Sequence, residues 1–172
     1  QHHLGWDNST PPLRTVAPGE CVELELMDAS RGLFTPTSTA SMLAELELSN
    51  ANPLTGPIYV DGAEPGDTLV VHIRDYASSH WGWTAIIPGF GLLADDFTEG
   101  VMHLSNYDQH FVDFAPGVRL PTRPFAGTMG VAPAALGSHS AIPPQRTGGN
   151  MDVKSLVAGT TLYLPVEVPG AL

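Results

Sequence analysis

Glycine turns that each feed an apolar strand constrain this chain more than any other feature. Residues 16–26 read VAPGECVELEL, residues 63–73 AEPGDTLVVHI and residues 157–168 VAGTTLYLPVEV. In the first two, Pro before Gly presets a type II turn, whose third residue needs the positive φ that glycine adopts without a steric penalty. Each turn opens into alternating or nearly continuous apolar residues, the pattern of a strand with one or both faces covered. Units of this kind, recurring without long helices between them, predict an all-β sandwich or a rolled β-barrel with a few short helical turns. Their spacing is too irregular for a solenoid.

The remaining segments fit that class. TGPIYVDGAEPGDTLVVHIRDY predicts a hairpin, with strands at 57–61 and 68–75 around a turn at 62–67. WGWTAIIPGFGLLADDF (81–97) is apolar but carries Gly82, Gly89, Gly91 and Pro88. That content opposes a helix, and a loop of such length is commonly functional. Two short strands are expected within 98–114, around Asn106 and Asp108, and strand character returns near 126–132 within a proline-rich stretch. Only MLAELEL (42–48) and DVKSL (152–156) offer helical pattern, the first equally compatible with a strand. No Ser- or Gly-rich linker divides the 172 residues, so one domain is expected.

Charge and special residues narrow the function. With 7 basic and 18 acidic residues, net −11, the chain has no electrostatic reason to bind nucleic acid or an anionic membrane. No apolar run reaches the roughly 20 residues of a membrane-spanning helix. The single cysteine, Cys21, suits a reducing compartment and a cytoplasmic location. Its place in CVELEL predicts a buried thiol rather than a nucleophile. GxSxG is missing, as is the GK[ST] ending that would make TGGNMDVK a phosphate loop. Seven histidines show neither HxH nor HxxxH spacing, so a compact all-histidine metal site is not expected. Asp152, before VKSL, stands where a helix N-cap belongs, and Glu64 and Asp67 flank a turn.

Five stretches together carry a resemblance: HLGWDNSTPPLRTVAPGE, NPLTGPIYVDGAEPGDTL, WGWTAIIPGFGLLADDF, RPFAGTMGVAP and PPQRTGGNMDVKSLVAGTTLYLPVEVPGAL. In order and with short spacers, they resemble the acetamidase/formamidase family. The resemblance implies that a short aliphatic amide, formamide or acetamide, is hydrolysed to the acid and ammonia. It also implies a β-sandwich or rolled barrel, a divalent metal (zinc in some members) and a homo-oligomer when complete. Family members extend before the HxxWDN stretch and, after PVxVPGAL, run on into a ligand-rich GDxHAxQGDGE-like segment. The chain is accordingly expected to be a piece of that domain, truncated at both ends.

Carried onto this chain, the resemblance makes Asp152 a metal ligand or base and Asn150 an amide or oxyanion contact. Gly148 and Gly149 would let backbone approach the substrate, Glu64 is a second carboxylate, and His3 and Asp7 are further candidate ligands. The alternative is a non-catalytic β-sandwich module that binds a small amide or carbohydrate.

Overall fold

The computed structural model describes residues 1–172. The three glycine turns form as expected. The amides of Glu20, Asp67 and Thr160 donate to the carbonyls of Ala17, Glu64 and Val157 at 3.0, 3.0 and 3.2 Å. The glycines at their third positions, Gly19, Gly66 and Gly159, have φ of 84°, 99° and 87°. Regular structure is almost entirely strand, in the order β1 His2–His3, β2 Arg14–Val16, β3 Leu54–Thr55, β4 Ile58–Val60, β5 Thr68–His72, β6 Trp81–Ile86, β7 Val101–Tyr107, β8 Phe111–Ala115, β9 Val118–Pro121, β10 Thr128–Gly130, β11 Gly148–Asn150 and β12 Thr161–Pro165. Helical structure is limited to 3-10 turns at Ala40–Glu45 and Leu48–Asn50. The first realises the helical alternative for MLAELEL, with Leu43 buried.

Pairing departs from the local expectation. The predicted hairpin has both of its strands, but they do not pair with each other. β4 runs parallel to β2, with Tyr59 opposite Thr15, whereas β5 is antiparallel to β12, with Val71 opposite Leu162. A parallel pair cannot be closed by a tight turn, so β2 and β4 are joined through the long 17–57 excursion. The other two-stranded ladders are β1–β3 and β10–β11. β6 to β9 form a four-stranded antiparallel meander, which absorbs the first six residues of the apolar 81–97 stretch. Phe34 packs edge-on to Trp83 at 4.8 Å, and Trp83 Nε1 donates to Asp28, fastening the meander to the 28–34 segment.

The core is thin. One cluster joins Val131, Leu164, Val166 and Ala171, with Leu69, Val71 and Leu162 against it, and a second joins Trp6, Leu54 and Ala141. The first cluster binds β5 and β12 to the exit of β10, and the second binds the amino-terminal stretch to β3. Both meet at the β10–β11 ladder, which carries the candidate site.

Candidate functional site

Residues 148–152, GGNMD, were singled out for their backbone freedom, and the ladder shows its use. β11 pairs antiparallel with β10, Gly130 opposite Gly148, Met129 opposite Gly149 and Thr128 opposite Asn150. Gly148 and Gly149 have φ of 99° and 101°, a conformation closed to residues with a Cβ. A Cβ on Gly148 would stand 2.5 Å from the Met129 carbonyl oxygen and 2.8 Å from the Gly130 Cα. The close approach these glycines permit is therefore to β10.

Asn150 follows, with its amide tied at both ends. Its Oδ1 accepts from Thr128 Oγ1 at 3.1 Å, and its Nδ2 donates to the Ile142 carbonyl at 2.9 Å. One amide hydrogen remains, since Nδ2 carries two. Thr128 thereby orients Asn150, a role that sequence reasoning missed and that TMG alone does not signal.

Asp152 is not a helix N-cap. Its φ of 50° places it in the left-handed region, whereas an N-cap residue is extended. No helix follows either: residues 153–156 make a single turn, Leu156 N–H to Val153 C=O at 2.9 Å. Asp tolerates the left-handed region better than most residues. The amides of Met151 and Asp152 both donate to the Gly127 carbonyl at 3.0 Å, which holds the bend. The exposed Asp152 carboxylate makes no hydrogen bond and lies above the Cα of Gly127, a position where a Cβ would come within 2.7 Å of Oδ1.

A cavity of about 1190 Å³ runs beside this ladder, and His3, Asp7, Asn150 and Asp152 line it. Gly148, Gly149 and Glu64 do not. Glu64 is exposed on the turn between β4 and β5, where the Asp67 carboxylate accepts from its amide at 3.0 Å.

The amino-terminal motif works chiefly as a clasp. Trp6 and His139 exchange backbone hydrogen bonds of 2.8 and 2.9 Å, and Asn8 Nδ2 donates to the Pro133 and Ala135 carbonyls. Asp7 Oδ1 accepts from the Ser9 hydroxyl at 2.6 Å and the Ser9 amide at 2.9 Å. Those two bonds, hydroxyl first, hold the Asp7 carboxyl below its ordinary range, with smaller contributions from His139 and His3. Burial pushes the half-buried His3 imidazole below its ordinary value, against the opposing effects of the Gly5 carbonyl and Asp7. The Trp6 indole N–H is buried without a partner beside Gly149, an unmade hydrogen bond that no motif signals.

Nowhere do three His, Cys, Asp or Glu side chains come close enough to hold a metal ion. His3, Asp7 and Asp152 share a cavity without forming a ligand set. Cys21, expected to be buried, is exposed on the wall of that cavity, because residues 21–28 form no strand ladder here. No helix is long and apolar enough to cross a membrane.

Comparison with known proteins adds identity to this geometry. The chain is 27% identical to the formamidase of Methylophilus methylotrophus, over 98% of this chain and 55% of that protein. It superposes on an acetamidase from Bacillus halodurans with a TM-score of 0.89 at 31% identity, over 99% of this chain and 57% of the other. A gamma lactamase from Delftia acidovorans gives a TM-score of 0.92 at 26% identity, over 99% and 55% respectively. The chain thus spans just over half the length of these relatives. The model of the acetamidase/formamidase family matches residues 1–140 and 134–172. The chain belongs to the acetamidase/formamidase family.

Proposed function

We propose that this chain contributes one wall of an amidase site that hydrolyses a short linear amide, formamide or acetamide, to the carboxylate and ammonia. Family membership supports the reaction class, and the unpartnered Asp152 carboxylate on the cavity wall is the observation that carries the residue assignment. Water adds to the amide carbon and yields a proton to Asp152, the C–N bond breaks, and that proton leaves on the amine as ammonia. The remaining Asn150 amide hydrogen donates to the substrate, with Thr128 and the Ile142 carbonyl fixing its direction. Pre-set donors of this kind cost no reorganisation as charge develops.

Glu64, away from the cavity, is given no part in this scheme. A divalent metal, zinc in the resemblance, would act by polarising the carbonyl and acidifying water. The residues present do not assemble a site for it, so no step is routed through it. His3, Asp7 and Asp152 line one cavity but are not brought together as a ligand set. Formamide and acetamide differ by one methyl, worth about 1–3 kcal/mol of discrimination in a pocket. The reading is tested by assaying ammonia release by the completed domain, this chain together with the rest of the family domain. Absence of release from any short amide would leave a small-molecule-binding module as the reading.

A further inference from the structure

We propose that residues 21–28, together with the groove between them and β5, are a docking surface for an extended polypeptide segment from the part of the family domain that this chain does not contain. The inference rests on the fold and on family membership, and is independent of the amidase reading.

A compact monomer of 18.2 kDa exposes about 8,000 Å². This structure exposes 10637 Å². The excess, roughly 2,500 Å², is in the range of permanent interfaces, although part of it belongs to the β6–β9 meander. Only 23 of the 172 residues are buried, so apolar surface that the sequence patterns as interior lacks a cover.

CVELEL alternates as a strand with one apolar face should, and the structure keeps that alternation: Val22, Leu24 and Leu26 line the cavity, whereas Glu23 and Glu25 do not. Yet no amide in residues 21–28 makes a backbone hydrogen bond, and the Glu25 carbonyl is held only by Thr55 Oγ1 at 3.1 Å. β5 is laddered to β12 on one edge and to no strand on the other, and all five of its residues, Thr68 to His72, line the same space. Two unladdered edges thus border one groove.

A volume of about 1190 Å³ exceeds even drug-sized pockets, and a two-carbon amide would leave nearly all of it as water against Leu and Val. Unladdered strand edges are the template for strand addition, in which main-chain hydrogen bonds supply affinity and alternate side chains supply register. The occupant is therefore a segment with apolar residues at every second position, and the Bacillus halodurans acetamidase has the length to provide it, since the match covers 57% of that chain.

The test mixes this 172-residue chain with a polypeptide carrying the unmatched part of the Bacillus halodurans acetamidase. Sedimentation reads complex formation, and amide hydrogen exchange reads residues 21–28. A one-to-one complex with new protection across 21–28 is expected. Leu24→Lys, which places a charge in the groove, should weaken it by about 100-fold. Glu23→Lys, facing away, should leave affinity within about threefold, as exposed substitutions generally do. Both residues are exposed in the free chain, so its exchange pattern elsewhere checks that each variant folds as before. Failure to associate, association without protection at 21–28, or equal effects of the two substitutions would overturn the proposal. Protection of 21–28 through self-association of this chain alone would overturn it in favour of a second copy.

Discussion

The carboxylate of Asp152 occupies the space that a side chain on Gly127 would fill: a Cβ there would stand 2.7 Å from Asp152 Oδ1. Gly127 does not lie in the left-handed region, so its backbone accepts alanine. Gly127→Ala should displace the flexible carboxylate with little change in melting temperature, yet lower kcat of the completed domain by more than tenfold. Unchanged kcat would mean that the position of this carboxylate is irrelevant to turnover.

Asp152→Asn separates charge from shape. Asn tolerates the left-handed region at least as well as Asp, so the fold should persist. Turnover should fall below a tenth, more than about 1.4 kcal/mol of barrier. Steady-state kinetics with a parallel circular-dichroism melt would detect the opposite pattern, a retained rate, which would remove Asp152 from the mechanism.

Gly148→Ala addresses the ladder itself. Its φ of 99° and the backbone approaches, 2.5 Å to the Met129 carbonyl oxygen and 2.8 Å to the Gly130 Cα, leave a Cβ no room. Strain of this kind costs on the order of 1–3 kcal/mol, and a backbone clash adds to it. The β10–β11 pair should open, seen as a lower melting temperature and faster exchange of the Val131 and Met151 amides, which donate to the Thr147 and Gly127 carbonyls across it. Wild-type exchange at both positions would refute the tight-ladder account.

Legibility followed the range of the interaction. The turns at Ala17–Glu20, Glu64–Asp67 and Val157–Thr160 depend on two or three neighbouring residues, and all three were readable. The partner of β5 lies some ninety residues away at β12, and nothing local in VVHI names it, so local pattern points to the simpler hairpin instead. Asp152 illustrates a second limit. Its side chain and the following VKSL match an N-cap, but the backbone there is set by the Gly127 carbonyl, which accepts from two successive amides. Cys21 is exposed because CVELEL, although it alternates as a strand does, joins no ladder in the structure. Asn150 and Asp152 are named through the family resemblance, and the structure puts both on the cavity wall. Thr128, Gly127 and Trp6 needed coordinates, since their roles arise only across the ladder.

Acid should destabilise the fold through four groups. The carboxyls of Asp7, Asp108 and Glu167 and the imidazole of His3 all lie below their ordinary values in the folded state. Each folded group binds its proton less readily than the unfolded one, so stability is present above the unfolded pKa and lost as pH falls through the folded value. The His3 contribution, set mainly by burial, begins to fade below about pH 6.5, and the carboxylates follow near pH 4. Melting temperature against pH should show this two-stage decline, and His3→Gln should flatten only the upper stage. A decline unaltered by His3→Gln would reassign it.

Cys21, the single thiol of the chain, lies exposed on the cavity wall. The water-attack scheme gives it no role, so Cys21→Ser should leave kcat within about twofold, under half a kcal/mol of barrier. Mass spectrometry of the quenched reaction should find no acyl adduct. An adduct at Cys21 would replace water attack by covalent catalysis.

The most direct measurement is ammonia released from formamide and acetamide by the completed domain. The account predicts release from at least one of them, at a rate that Asp152→Asn lowers by more than tenfold without loss of the complex. A complex that assembles and melts cooperatively, yet frees no ammonia from any short amide, would contradict it.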